Sequence, residues 1–259
     1  MGVPRALTIA TSDSGGGAGV QADLKAFAAA GAHGLSAFVA LTAQNTVAVT
    51  AIHELPPEFV VAQLDAVYDD IGVDAAKTGM LFSRRLIETV ADWLERHPLP
   101  LVVDPVLVAS SGAPLLEEGA VEALVSRLFP LATVVTPNLD EAIMLTGSEG
   151  TRRSLAVALH ALGAPAVIVT GGHGSDPVDH LFDGERHIEI PVVRHAVAAT
   201  HGAGCTHSAT LTALLARGLS LVEAARGAAA AAGTAVRQGL VEIGAGDGPV
   251  DILNVKGNR

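Results

Sequence analysis

Short apolar runs recur along the chain, and what most constrains the fold is that they lack the polar alternation of a half-exposed strand. Leu7–Ala10, Ser36–Ala43, Asp74–Ala76, Leu101–Val103, Thr133–Thr136 and Ala166–Val169 are such runs. Strands of this composition are buried on both faces, as in parallel sheets. Between them lie alanine-rich stretches of helical period, near Ala18–Ala30, Glu58–Asp70, Arg84–His97, Glu117–Phe129 and Ser154–Leu162. His180–Phe182 and Arg186–Ile190, joined by Asp183-Gly184-Glu185, read as a hairpin. The chain then runs into helices near Thr206–Ala216 and Leu221–Gln238. This order predicts an α/β protein, a mostly parallel central sheet with helices on both faces. No repeat or linker divides residues 1–259, so one domain is expected.

Composition narrows the function. With 49% hydrophobic and 17% charged residues, the chain is too apolar for disorder and ample for a real core. Lys and Arg number 16 against 27 Asp and Glu, a formal charge of −11 with no basic cluster. Nucleic acid and anionic membrane are therefore not expected partners, and an anionic substrate needs local donors. The single cysteine, Cys205, excludes an internal disulfide and a cysteine zinc cluster, and it fits a reducing interior. No run approaches the ~20 apolar residues of a membrane span. The first residues read as a strand rather than a secretion signal, which points to the cytoplasm.

Polar groups follow the buried runs. These are Gln44-Asn45, Lys77-Thr78-Gly79, Asp104, Pro137-Asn138 and Thr170-Gly171-Gly172. Open parallel sheets bind ligands outside their carboxyl ends, so these segments are expected to converge on one crevice. Ser14-Gly15-Gly16-Gly17-Ala18-Gly19 follows a strand but lacks the dinucleotide spacing, since position 20 is valine. A tight strand-to-helix turn explains it equally well, and the G-x-x-x-x-G-K-[ST] phosphate loop is absent. Asp23 shares a helical face with Val20 and Phe27, where a carboxylate needs either a capping role or a buried partner such as a substrate hydroxyl or amine. Thr200-His201-Gly202-Ala203-Gly204-Cys205 opens the next-to-last helix, where successive amides and the helix dipole suit an anion. Cys205 at that terminus is either a small packed residue or a thiol of lowered pKa.

Together these segments resemble the ribokinase-like superfamily, and within it the hydroxymethylpyrimidine/phosphomethylpyrimidine kinases of thiamine biosynthesis. The resemblance rests on Gly16-Gly17-Ala18-Gly19-Val20-Gln21-Ala22-Asp23-Leu24-Lys25, Thr42-Ala43-Gln44-Asn45-Thr46, Lys77-Thr78-Gly79-Met80 and Val103-Asp104-Pro105-Val106. It continues through Thr136-Pro137-Asn138-Leu139-Asp140-Glu141-Ala142, Thr200–Thr206 and Gly246-Asp247-Gly248-Pro249. It implies a three-layer αβα fold, a homodimer and the use of ATP with Mg²⁺. It also implies that Asn138 and Glu141 organise magnesium and phosphate, with Asp104 beside the triphosphate and metal. The Gly202, Ala203, Gly204 and Cys205 amides match the anion hole, and Cys205 stands where many relatives carry an aspartate base. Asp23 and Gln44 match residues that hydrogen-bond the pyrimidine, and Met80 matches a pocket wall.

Three positions depart from that pattern. Thr11 stands in place of glycine and implies a narrower pocket. Ser110 replaces a lysine. Thr170, before Gly171 and Gly172 on the phosphate side, replaces another. Thr170-Gly171-Gly172 together with Gly202-Ala203-Gly204-Cys205 also resembles bacterial pyridoxal kinases, whereas the Ala43-Gln44-Asn45-Thr46 stretch argues for the pyrimidine branch. A non-catalytic pyrimidine- or nucleotide-binding relative is the third reading.

Overall fold

The computed structural model describes residues 2–107, 116–117, 119–172 and 176–257. In chain order the strands are β1 (Arg5–Ala10), β2 (His33–Phe38), β3 (Ala40–Gln44), β4 (Val49–Glu54), β5 (Ala75–Thr78), β6 (Leu101–Val103), β7 (Val134–Val135), β8 (Val167–Val169), β9 (Val178–Phe182) and β10 (His187–Pro191). The helices are α1 (Gly19–Ala29), α2 (Pro57–Asp70), α3 (Arg84–Arg96), α4 (Ala120–Ala123), α5 (Leu139–Thr146), α6 (Arg152–Ala161), α7 (Ala203–Ala216) and α8 (Leu221–Arg237). Eight strands form one sheet in the order β10-β9-β8-β7-β6-β5-β1-β2. Its strands are parallel from β8 to β2, and the expected hairpin, β9 and β10, adds the antiparallel edge.

Neighbouring residues on a strand point to opposite faces, and the core divides accordingly. Leu7, Ile9, Val103 and Val135 pack with residues of α2, α3, α4 and α6. Val102, Val134 and Ile168 pack instead with Leu211 of α7 and Ala224, Ala225 and Ala228 of α8. Ala6 meets Ala26 and Phe27 of α1 and Ala209 and Ala213 of α7. The result is the expected three-layer αβα sandwich. Alanines on α1, α7 and α8 leave little side-chain volume between these helices and the sheet, which brings the start of α7 close to the strand ends.

Three segments differ from the sequence reading. Ser36–Ala43 is not one doubly buried strand. β2 ends at Phe38, the chain turns at Val39, and β3 pairs with β4 in a separate antiparallel sheet. Leu41 and Ala43 are exposed on this flap, whose base is fastened by Thr42 Oγ1 donating to the Ser12 carbonyl at 2.8 Å. The stretch Glu117–Phe129 is α-helical only over Ala120–Ala123, then widens into a π turn at Leu124–Leu128 and tightens to a 3-10 turn around Pro130. α5, unanticipated, starts at Asn138 with a capping box: the Asn138 side chain accepts from Glu141 N, and Glu141 Oε2 accepts from Asn138 N, each at 2.9 Å.

One ionic group ties sheet to helices. Lys77, inside β5 and fully buried, places Nζ 2.8 Å from Asp23 Oδ1 of α1 and 3.7 Å from Asp104 Oδ2, just beyond β6. Thr8 of β1 donates to the other Asp23 oxygen at 2.6 Å, and Ser208 of α7 donates to Asp104 at 2.7 Å. Asp23 is therefore not a helix cap: its carboxylate is held by Lys77 and Thr8, and it lines the crevice described below. Removing one member of such a cluster leaves an uncompensated buried charge. Lys77→Met is expected to cost about 3–5 kcal/mol in urea unfolding. Adding Asp23→Asn is expected to recover part of that loss, since it removes one of the stranded carboxylates. A Lys77→Met protein as stable as wild type would show the cluster to be energetically idle.

Candidate functional site

A crevice of about 710 Å³ opens over the carboxyl ends of the parallel strands. Gln44, Lys77, Asp104, Asn138, Thr170 and Gly172 all line it, as the strand-end argument requires. Gln44 arrives by another route. It sits on the flap, at the β3–β4 irregularity, and is held there by its backbone on the Ser14 hydroxyl. Its half-buried side-chain amide makes no hydrogen bond among the described residues. Met80 lines the same end, and its carbonyl accepts from both Thr11 N and Thr11 Oγ1 at 3.0 Å. Thr11 thus turns its hydroxyl onto the wall, buried.

The two glycine-rich segments meet here, and neither stands alone. Asp13 gathers the amides of Gly15, Gly17 and Ala18 at 2.7, 3.0 and 2.8 Å, and His201 Nε2 at 2.9 Å. The first segment is therefore a turn wrapped on a carboxylate, with those amides spent. Burial opposes the charge on Asp13, but His201 and the Ala18 and Gly15 amides outweigh it and hold the carboxyl below its usual range. Gly202 has φ +82°, and a Cβ there would run into the Gly17 carbonyl oxygen. Thr200 is anchored through N and Oγ1 to Asp247, at 2.9 and 2.8 Å. Ala203 N donates back to the Thr200 carbonyl at 3.0 Å, so this amide, expected in the anion hole, is engaged elsewhere. Gly204 and Cys205 continue the first turn of α7, where amides lack acceptors within the helix and favour an anion.

The electrostatics around Cys205 reverse the expected thiol shift. Dense protein surroundings push the thiol up to about 12, and Asp23 and Asp104 add to the rise. Lys77 and the Gly19 amide pull the other way and lose. Burial likewise opposes the charge on Lys77, but the Asp23 and Asp104 carboxylates keep its pKa above the ordinary lysine value. The dominant pairing is thus Lys77 with the carboxylates, and the thiol keeps its proton.

An acidic arm flanks this centre. Burial and the Asp104 charge push the Glu141 carboxyl up to about 8, although the Asn138 and Leu107 amides favour its charge. Asn138 and Glu141, expected to organise a metal, are first each other's capping partners. Among the described residues no cluster of three or more His, Cys, Asp and Glu side chains could hold a metal. Two crevice carboxylates, Asp104 and Glu141, are nonetheless what Mg²⁺ takes from protein when phosphates supply the rest. Burial is the larger cause of the raised Glu141 pKa and the Asp104 charge the second, and a cation beside both carboxylates would favour the ionised form.

Across the crevice, Arg152 Nε donates to the Thr170 carbonyl at 3.1 Å, and Arg194 holds the Gly171 carbonyl through Nε and Nη2. Ser110 lies outside the described residues. Sequence reasoning placed Lys77 at a strand end over the crevice but not in an ion pair, and it assigned no role to Asp13, His201, Asp179 or His207, all of which line the crevice. Lys77 had a signal, a cation inside a buried run. The others depend on pairings across the fold, 188 positions apart for Asp13 and His201.

A family model for phosphomethylpyrimidine kinase matches residues 13–251. The hydroxymethylpyrimidine/phosphomethylpyrimidine kinase of Rhizobium meliloti (strain 1021) is 48% identical over 253 residues, covering 95% of each chain. Among solved structures, an ADP complex of Bacillus subtilis pyridoxal kinase superposes with a TM-score of 0.90 at 36% identity, over 98% of this chain and 99% of that one. The phosphomethylpyrimidine kinase of Clostridium difficile 630 superposes with a TM-score of 0.78 at 37% identity, over 87% and 96%.

The raised thiol has a measurable consequence. In the ligand-free protein near pH 8, iodoacetamide is expected to modify Cys205 roughly 10³-fold more slowly than an ordinary thiol, accelerating about tenfold per pH unit. Because Cys205 is the only thiol, a mass-spectrometric time course reads it without ambiguity. Modification at the ordinary rate would mean that the dipole and Lys77 prevail over burial.

Proposed function

The chain belongs to the phosphomethylpyrimidine kinase family, and from that premise we propose that it phosphorylates 4-amino-5-hydroxymethyl-2-methylpyrimidine and then its monophosphate, in thiamine biosynthesis. It is a phosphotransferase and uses ATP. The observation that carries the substrate assignment is Gln44, whose unspent amide faces the same crevice as the first turn of α7. A side-chain amide can pair with a ring nitrogen and an exocyclic amine together. Met80 and Thr11 supply walls for the ring, and Asp23 acts from beneath through Lys77.

Phosphoryl transfer asks a protein chiefly for positioning and charge neutralisation. The Gly204 and Cys205 amides, at the positive end of α7, are placed to take charge developing on the transferred group. Cys205 receives the hydroxymethyl proton in this reading; it must first ionise, and Lys77 is the cation that favours the thiolate. Asp104 and Glu141 would hold Mg²⁺, which would neutralise phosphate charge when bound. Asn138, Thr170 and Gly172 border the phosphates. A homodimer in the cytoplasm, with residues 1–259 as one kinase domain, completes the reading. Among the described residues no helix is long and apolar enough to cross a membrane.

A second reading, pyridoxal kinase, is favoured by the fit to the Bacillus subtilis enzyme. An ATP-coupled assay with hydroxymethylpyrimidine, its monophosphate and pyridoxal separates the two, and turnover confined to pyridoxal would overturn the pyrimidine assignment. Gln44→Ala is expected to weaken pyrimidine binding by roughly 10- to 100-fold in calorimetry, with nucleotide binding nearly unchanged. Glu141→Gln keeps the capping box, since glutamine serves there too, so melting temperature is expected to change little. Turnover is expected to fall and to demand more Mg²⁺. A magnesium titration identical to wild type would leave Glu141 a helix cap alone.

A further inference from the structure

We infer that His207, braced by Asp179, is a phosphate-binding side chain of this site, donating Nδ1–H to an oxygen of the nucleotide's polyphosphate. The inference rests on the kinase reading above and adds a residue that neither the motifs nor the resemblance assigns. His207 lies on α7 one turn past Ala203, is 5% exposed, and lines the crevice. Its Nε2 is 3.0 Å from Asp179 Oδ2, and the other Asp179 oxygen accepts from Gly171 N at 2.6 Å. Asp179 therefore bridges α7 to the Thr170-Gly171-Gly172 loop.

A carboxylate only accepts, so Nε2 carries the hydrogen of that bond. Nδ1 is then left buried with no partner among the described residues. Such an orphan is costly in a folded protein and calls for an explanation. As a neutral ring it presents a lone pair, which an incoming oxyanion would repel. As an imidazolium it presents a donor, which an oxyanion would pair with. Asp179 on β9, Arg194 beyond β10 and Lys77 of β5 are charged groups of the same crevice. Asp13, Asp23, Asp104, Asp140, Glu141 and Asp247 are the other carboxylates that line the crevice. α8 contributes only Ala229, Ala232, Gly233 and Val236, none of which titrates. Thr170 and Gly172 bring no charge, and Arg194 spends Nε and Nη2 on carbonyls of Gly171 and Asp176. A polyphosphate oxygen at Nδ1 completes the chain Gly171 N–H, Asp179, His207.

Calorimetry with MgATP and with adenosine, on wild type and His207→Gln, tests this. The substitution is expected to weaken MgATP binding roughly 10- to 100-fold and to leave adenosine binding unchanged. Equal MgATP affinity, or a parallel loss for adenosine, would overturn the inference. Nitrogen NMR of [15N]histidine in the wild-type protein is independent of any substitution. On adding MgATP, the ring bonded to Asp179 is expected to gain a proton on Nδ1, and no change at any ring would overturn the assignment. A wild-type protein that binds no MgATP would overturn the kinase reading too, whereas tight MgATP binding indifferent to His207 removes this inference alone.

Discussion

The site is organised around a lysine that has no access to water. Lys77 stands inside the central strand β5 with Asp23 at 2.8 Å and Asp104 at 3.7 Å, and Thr8 and Ser208 complete the coordination of those carboxylates. Five elements thereby converge on one ammonium: β1, α1, β5, the end of β6 and α7. A buried cation of this kind is tolerated only while its partners stay in place. Every position it constrains is also a crevice position or a direct neighbour of one, so cohesion of the sandwich and shape of the site share a cause. The same cluster sets the state of Cys205, since two carboxylates and burial outweigh the lysine and keep the thiol protonated.

A second carboxylate does for the glycine loops what Lys77 does for the strands. Asp13 closes its own loop with three amides and reaches His201 of the distant loop. The backbones then approach so closely that Gly202 has no room for a side chain beside the Gly17 carbonyl. Asp247 fixes Thr200 from the opposite direction. The anion-ready first turn of α7 is thus located by two carboxylates. The amides aimed into the crevice are fewer than the motif suggests, because Ala203 N is already bonded to Thr200.

The flap gives the crevice its asymmetry. β3 and β4 form their own two-stranded sheet, tied to the strand-end segment by Ser12, Ser14 and Thr42. Gln44 and Met80 occupy this end, while Asp104, Asn138 and Glu141 form the acidic arm and Thr170, Gly172 and His207 another wall. An uncharged amide on a small separate sheet suits a neutral ring. Fixed charges and helix ends suit phosphates.

The layered architecture was legible in the sequence because burial on both faces requires unbroken apolar runs, and Leu7–Ala10, Leu101–Val103 and Ala166–Val169 satisfy it without help from distant residues. Strand-end placement of Asp104, Asn138 and Thr170 followed from the same rule. Ser36–Ala43 was misleading because apolar content alone cannot distinguish a strand that stays in the sheet from one that turns out at Val39 into a flap. Asn138 and Glu141 carried two meanings at once, metal site and capping box, and only the atoms show the cap. What tertiary structure decided was pairing: Asp23 with Lys77, Asp13 with His201, Asp179 with His207. Those pairs determine protonation, and protonation follows distance and burial, quantities that exist only after the chain has brought residues 13 and 201, or 23 and 77, into contact.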